Sequence, residues 1–366
     1  MKTILHIIDT TGPGGAETVF IDLATMLPKD KYRSIVVIRG IGWVYEELCR
    51  RGMSPIILDA KGSFNWRYLL SLCKLIKSEN VQLIQTHLLG SNIYGSIAGL
   101  LTRTPVVATF HGAVDVDDNE RLKWLKFAAI NLGANRIIAV SKNLRDNIIK
   151  RTPIKASKVE VVYNGIDTEK FNLPKSTRLR SEFNFDKDDI LVGSLGNIRP
   201  AKAYDFLLHA ASLLKNKEYK FKFLIAGQGE NKLSEELLEL RTELKLEDSV
   251  KFIGFTDKPA EFLSNLDVFL LTSSSEGFSI ATIQAMAACK PVIATRSGGP
   301  EEIIELGKTG TLVAVNDING ITNELAKMAE DKHKSNQIAI QGMNHVVNTF
   351  DIEMMLSSYQ KIFDSL

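Results

Sequence analysis

The stretch LVGSLGNIRPAKAY, residues 191–204, decides how the fold is read. It opens on an apolar run that reads as a buried strand. A loop with Gly193 and Gly196 follows, and a helical pattern begins near Tyr204. The unit matters because it is a restart. Upstream, apolar runs at 3–8, 34–38, 55–58, 83–86, 106–109, 136–140 and 159–162 alternate with helical patterns at 17–27, 45–51, 68–77, 92–101 and 142–150. Continuous apolar runs mark strands covered on both faces, and therefore a parallel, doubly wound sheet. From residue 191 the alternation resumes, with strands expected at 191–194, 221–226, 250–253, 268–271, 291–294 and 310–313.

Between the two series lie the turn cluster Tyr163-Asn164-Gly165-Ile166-Asp167 and a polar segment, 170–180, containing Pro174. The expected class is α/β, with two tandem Rossmann-like domains facing a deep interdomain cleft. The first domain covers 1–168, a linker 169–182, and the second domain 183–345; a helix at 346–366 is expected to pack towards the first domain. A chain of 366 residues exceeds what one core usually serves, which agrees with two domains.

No apolar run approaches the ~18–20 residues of a membrane span. The chain is expected to start as a strand without a signal-peptide cleavage site. Three widely spaced cysteines fit a reducing cytoplasm and no metal spacing. The net charge of +2 conceals +10 over residues 1–180 and −8 over 181–366. Either the halves meet different partners, one of them anionic, or they attract each other; both readings stand.

The loops after the strands carry the candidate chemistry. Thr10-Thr11-Gly12-Pro13-Gly14-Gly15-Ala16-Glu17 can let backbone approach a ligand at a helix N-terminus, or make a tight turn. Its spacing is not the dinucleotide fingerprint, which argues against a nicotinamide enzyme. His111, in Thr109-Phe110-His111-Gly112, falls at the carboxyl end of a strand, where ligands bind in such sheets. Asp115-Val116-Asp117-Asp118 has a metal-like spacing but reads as a solvated turn. Arg199 and Lys202 are two cations in one strand–loop–helix, suited to clamping a diphosphate.

Ile225-Ala226-Gly227-Gln228-Gly229-Glu230 again ends a strand on glycines, and Phe252-Ile253-Gly254-Phe255 can form a slot for a planar base. At the stretch SSSEGFSIATIQAMA, 273–287, a helix is expected from Gly277 and Phe278, whose N–H groups then face phosphate oxygens. Glu276 lies outside that terminus, to bond sugar hydroxyls or to cap the helix. Gln284 is a lone amide on an apolar helix and needs a partner, such as a ribose diol.

These motifs occur in one order: Gly14-Gly15-Ala16-Glu17, Phe110-His111-Gly112, Val140-Ser141, Asn164-Gly165-Ile166-Asp167, the loop 196–202, Glu276-Gly277-Phe278 and Gly298-Gly299-Pro300-Glu301. The ordered set resembles the family-four glycosyltransferases of GT-B fold over essentially the full length. The resemblance implies transfer of a sugar from a nucleotide diphosphate donor to a hydroxyl of a saccharide or lipid-linked acceptor, with retention at the anomeric carbon. No metal and no cofactor is implied, a UDP-sugar being the expected co-substrate.

By position, the catalytic set implied is Lys202 and Arg199 on the diphosphate, Glu276 on the transferred sugar and His111 facing that sugar from the first domain. The donor-binding set is Gly14, Gly15, Asn197, Gly227, Phe255, Gly277, Phe278, Ile280 and Gln284. The implied setting is bacterial polysaccharide or glycolipid assembly in the cytoplasm, at the inner face of the membrane, with no nucleic-acid partner.

Three positions depart from the family pattern. Gln284 stands where relatives carry the second glutamate of their Glu-x7-Glu motif, which retunes ribose binding. Asn197 stands where many carry an arginine, a place Arg199 can fill from two residues on. Ala203 replaces a common glycine. Basic segments interleaved with aromatics, 61–77 and 121–126, suit contact with an anionic leaflet, or ordinary helix packing. Two alternatives remain: a nucleotide-sugar 2-epimerase or phosphorylase on the same fold, and a nucleotide-sugar-binding pseudoenzyme.

Overall fold

The structure is a computed structural model that describes residues 1–59, 64–215, 220–229 and 232–366. Lys61 and Glu230, included in the segments above, lie outside the described residues. The chain divides into two compact units, Met1–Asn164 with Glu353–Leu366, and Gly165–Ile352. The division therefore falls inside the turn cluster at Asn164, four residues before the expected boundary. The expected linker belongs to the second unit and holds helical structure of its own.

The first unit is one parallel sheet of seven strands: β1 (Lys2–Ile8), β2 (Tyr32–Ile38), β3 (Ile56–Ile57), β4 (Leu83–His87), β5 (Val106–Phe110), β6 (Arg136–Ala139) and β7 (Val159–Val161). Their order is β3-β2-β1-β4-β5-β6-β7. Helices α1 (Gly15–Met26), α2 (Trp43–Arg50), α3 (Trp66–Ser78), α4 (Leu89–Thr102), α5 (Lys123–Gly133) and α6 (Lys142–Arg151) connect them. Strands β4 and β5 are buried at every position, the signature of a sheet covered on both faces. Right-handed crossovers place α1 and α2 on one face and α3 to α6 on the other, because the order reverses between β1 and β4.

The second unit repeats the plan with six parallel strands: β8 (Ile190–Leu195), β9 (Phe221–Ala226), β10 (Val250–Gly254), β11 (Val268–Leu271), β12 (Val292–Thr295) and β13 (Thr311–Val313), ordered β10-β9-β8-β11-β12-β13. Its helices are α7 (Arg178–Glu182), α8 (Tyr204–Leu214), α9 (Lys232–Glu243), α10 (Pro259–Ser264), α11 (Ile280–Ala287), α12 (Pro300–Ile303), α13 (Ile318–Glu330) and α14 (Lys332–Thr349). One core joins Val192, Phe223, Val268 and Ile293 of the sheet to Leu207 and Ala210 of α8 and to Leu325 of α13.

The last helix, α15 (Ile352–Asp364), supplies the C-terminal part of the first unit, so the returning segment is shorter than the expected 346–366. Its Tyr359 and Phe363 are fully buried there. Both sheets change direction at one point, between β1 and β4 and between β8 and β11. The loops leaving the carboxyl ends at such a switch point diverge and leave room for a ligand.

Candidate functional site

At the switch point of the second unit, the loops after β8 and β11 are laced together. Ser274 N donates to Ala201 O at 2.8 Å, and Thr272 Oγ1 to Lys202 O at 2.9 Å. Their charged side chains meet here: Lys202 Nζ lies 2.7 Å from Glu276 Oε1, and Ser273 Oγ donates to the same oxygen at 2.6 Å. The two charges are only 20% and 11% exposed, so salt and water screen them less than a surface pair. The backbone of Glu276 is held from the far side, its N–H donating to Ser297 O and its carbonyl accepting from Gly299 N. Glu276 is thus fixed by Lys202 and Ser273 at its carboxylate oxygen and by Ser297 and Gly299 at its backbone, a preorganised polar group at the switch point.

Next to the pair, the loops after β8, β9 and β10 close on one another. Gly196 N donates to Ala226 O, Ile198 N to Gln228 O and Gly227 N to Gly254 O, each at 2.8 Å. Asn197 accepts from Gln228 N through Oδ1 at 3.2 Å. A pocket of about 290 Å³ opens here, with Ile198, Gly227, Gly229, Phe252, Gly254 and Phe255 among its lining. The structure thus brings together Asn197, Lys202, Gly227, Phe255 and Glu276 of the sequence-derived set. Asn197 serves to staple two loops. Arg199 is exposed at the start of a 3-10 turn, Pro200–Lys202. Ala203 closes that turn with φ 48° and ψ 49°, the left-handed region a glycine would occupy without strain.

The helix after β11 begins later than expected. α11 starts at Ile280, and the side chain of Ser279 caps it by accepting from Thr282 N. Gly277 and Phe278 lie in the preceding bend, so the free N–H groups of the first turn belong to Ile280 and Ala281. Glu276 does not cap the helix. Phe278 is buried, edge-on to Phe350 at 5.4 Å between ring centroids, and positions the bend. Gln284 is half-buried, and among the described residues its side-chain amide has no partner within the chain. Ser273 is the residue that sequence reasoning missed; its one signal is the switch from an apolar strand to serine.

In the first unit, the loop after β1 is partly filled by its own glutamate. Glu17 is buried and accepts from Thr10 Oγ1 at 2.7 Å; a Cβ on Gly14 would lie 2.2 Å from Glu17 Oε2. Gly15 is the first residue of α1, so Glu17 also stands in the first turn, where the helix dipole favours a negative charge. Asp9, at the end of β1, is raised to about 6 by burial.

His111 does not stand at an open rim. Its Nε2 lies 2.8 Å from His87 Nδ1 and the rings stack with centroids 5.0 Å apart. Burial lowers it to about 3. Asp115 is likewise no solvated turn residue: it is buried and accepts from His111 N at 2.7 Å and Gly112 N at 3.2 Å, while Asp117 faces outward. Burial raises Asp115 to about 6.

Comparison with known proteins follows the same two halves. Residues 13–170 match the family described as Glycosyltransferase Family 4, and residues 175–345 the family described as Glycosyl transferases group 1. The Staphylococcus aureus capsular polysaccharide biosynthesis glycosyltransferase CapM is 25% identical over 311 residues, 81% of this chain and 80% of that one. The Escherichia coli UDP-Gal:alpha-D-GlcNAc-diphosphoundecaprenol alpha-1,3-galactosyltransferase is 26% identical over 326 residues, 86% and 81% of the two chains. The Bacillus anthracis N-acetyl-alpha-D-glucosaminyl L-malate synthase is 29% identical over 56% of this chain and about half, 53%, of its own length. Among solved structures, Anabaena Alr3699/HepE in complex with UDP-glucose has the same fold, with a TM-score of 0.89 at 23% identity and full coverage of both chains.

Proposed function

We propose, for a chain that belongs to the family-four glycosyltransferases of GT-B fold, that it transfers a sugar from a UDP-sugar to a hydroxyl of a saccharide or lipid-linked acceptor in bacterial polysaccharide or glycolipid assembly. Transfer proceeds with retention at the anomeric carbon and without a metal. The observation that carries the reading is the Lys202–Glu276 pair at a switch point, beside a pocket of about 290 Å³ large enough for a planar base. The base enters between Phe255 and the glycine-bearing loop of Gly227, with main chain at its edge. The diphosphate lies against Lys202, which neutralises the charge gained by the leaving group. Arg199, exposed beside it, closes on the same phosphates, and Ile280 offers its N–H from the first turn of α11.

Glu276 exchanges its contact with Lys202 for hydroxyls of the transferred sugar. Gln284 meets the ribose, accepting from one hydroxyl and donating to the other. The first unit takes the acceptor, with Gly14 and Gly15 near it where the loop after β1 enters α1.

Lipid-linked relatives make the outer face of α3, α4 and α5 relevant. α4 packs between α3 and α5; α3 exposes Arg67, Lys74 and Lys77 and the three helices carry no Asp or Glu, while Lys123 and Lys126 of α5 are paired with Asp118 and Glu120. Trp66 and Trp124 are 64% and 65% exposed, and Leu70, Leu101, Leu125 and Leu132 are exposed with them. A basic, apolar face of this kind suits an anionic leaflet. Among the described residues no helix is long and apolar enough to cross a membrane.

A thermal-shift series with UDP-, GDP-, ADP- and TDP-sugars tests the donor, since a ligand of the folded state raises its apparent stability. A UDP-sugar is expected to give the largest rise. No rise with any member would overturn the proposal.

A further inference from the structure

Gln85, His87 and Thr109 are fully buried, and they join His111 to the C-terminal helix by side chains. Thr109 Oγ1 lies 3.2 Å from Tyr359 Oη on α15. Gln85 Nε2 donates to Thr109 Oγ1 at 2.8 Å and also lies 3.2 Å from His87 Nε2 and 3.4 Å from Thr86 O. His87 Nδ1 then meets His111 Nε2 at 2.8 Å. His111 Nδ1 is buried and has no partner among the described residues.

The direction of the chain follows from the glutamine. Its amide nitrogen sits near a hydroxyl, a carbonyl oxygen and a ring nitrogen. Its two N–H groups serve the two nearer acceptors, Thr109 Oγ1 and His87 Nε2, while Gln85 Oε1 is buried without a partner among the described residues. In this orientation the N–H aimed at His87 makes His87 Nε2 an acceptor. A neutral imidazole that accepts at one nitrogen carries its proton on the other. His87 thus donates from Nδ1 to His111 Nε2, and His111 carries its own proton on Nδ1. Burial keeps both rings neutral.

We infer that His87 is a positioning residue that locks His111 as a neutral Nδ1–H donor, reserved for an oxygen of a saccharide at the carboxyl edge of the first sheet. His111 then orients sugar and does not act as an acid or a base. A buried donor without a protein partner is costly, and a ligand oxygen is what relieves it. Only the identity of the ligand rests on the glycosyltransferase reading; the tautomer does not.

The test is long-range proton–nitrogen correlation NMR on histidine-labelled protein without ligand, in which the protonated nitrogen of each ring is distinguished by its shift. His111 and His87 are both expected to carry the proton on Nδ1. A proton on Nε2 of His111 in the wild-type protein would overturn the inference, whatever the variants do. His87→Phe keeps a ring against Phe20 and removes the N–H; its His111 proton should move to Nε2. A folded His87→Phe protein with His111 unchanged would show that His87 does not position it. UDP binding, measured separately, reports on the glycosyltransferase reading alone.

Discussion

Gly227→Ala is the substitution whose consequence can be worked most closely. A Cβ at 227 would lie 1.9 Å from Gly196 O, 2.5 Å from Gly196 C and 3.1 Å from Asn197 N. All three atoms are backbone, so no side chain can swing aside. To restore van der Waals contact, the loops after β8 and β9 must part by more than an ångström. The hydrogen bonds Gly196 N to Ala226 O and Ile198 N to Gln228 O, both 2.8 Å, cross that seam. Overpacking costs roughly 1–3 kcal/mol and each of the two weakened hydrogen bonds about 1 kcal/mol, so the second unit should lose about 3–5 kcal/mol. The same displacement carries Asn197 and Lys202 away from the pocket, and UDP affinity should drop at least roughly tenfold, about 1.4 kcal/mol.

Urea unfolding followed by fluorescence gives the first quantity and isothermal titration with UDP the second. Gly12→Ala is the control, because a Cβ there meets nothing within 4 Å. If Gly227→Ala unfolds at the wild-type midpoint and binds UDP as tightly, the close approach of these loops is not what shapes the pocket.

Ala203→Gly should stabilise the second unit by about 0.5–1 kcal/mol, the left-handed strain less the entropy glycine adds to the unfolded chain, read as a higher urea midpoint at unchanged slope; a lower midpoint would contradict this. Stability of the first unit should fall as pH drops from 7 to 5. His6 and His111, held near 3 by burial, take up protons only on unfolding, and His87 is lowered in the same direction. Each contributes stability above its ordinary value of 6.5, lost as pH falls towards the folded value, with a slope of about 1.4 kcal/mol per pH unit. Asp9 and Asp115, raised to about 6, oppose this between about pH 4 and 6, so three histidines outweigh two carboxyls. Flat stability between pH 7 and 5 would count against the buried cluster. Trp66→Ala with Trp124→Ala should lower sedimentation with phosphatidylglycerol vesicles several-fold and leave UDP binding unchanged; equal sedimentation would remove the α3–α5 face from membrane contact.

Most of the strand and helix pattern is legible because fully buried parallel strands are continuous apolar runs. β9 and β11 have the expected limits, and the other strands differ by one or two residues. α5 escapes a reading by pattern: its lysines make residues 121–126 read as a basic segment, although Phe127 and Ile130 face the core. The start of α11 is expected too early because Glu-Gly-Phe precedes it, whereas the capping side chain is Ser279.

What the sequence could not show is partnership across strands. Lys202 and Glu276 are 74 residues apart and meet only because β8 lies beside β11. His87 is opposite Thr109 in the β4–β5 register, and this pairing brings His111, two residues further on, against it. Strand order and register are properties of the assembled sheet, so the lone histidine in Phe-His-Gly carried no sign of its partner.

The central claim is that Lys202 of the second unit holds a nucleotide diphosphate. Isothermal titration of UDP into the wild-type protein and Lys202→Ala tests it most directly. The account predicts one UDP bound per wild-type chain and an affinity in the variant lower by roughly ten- to a hundredfold, the worth of one charge-assisted contact. Equal affinity in the two proteins, or no UDP binding by the wild type, would contradict it.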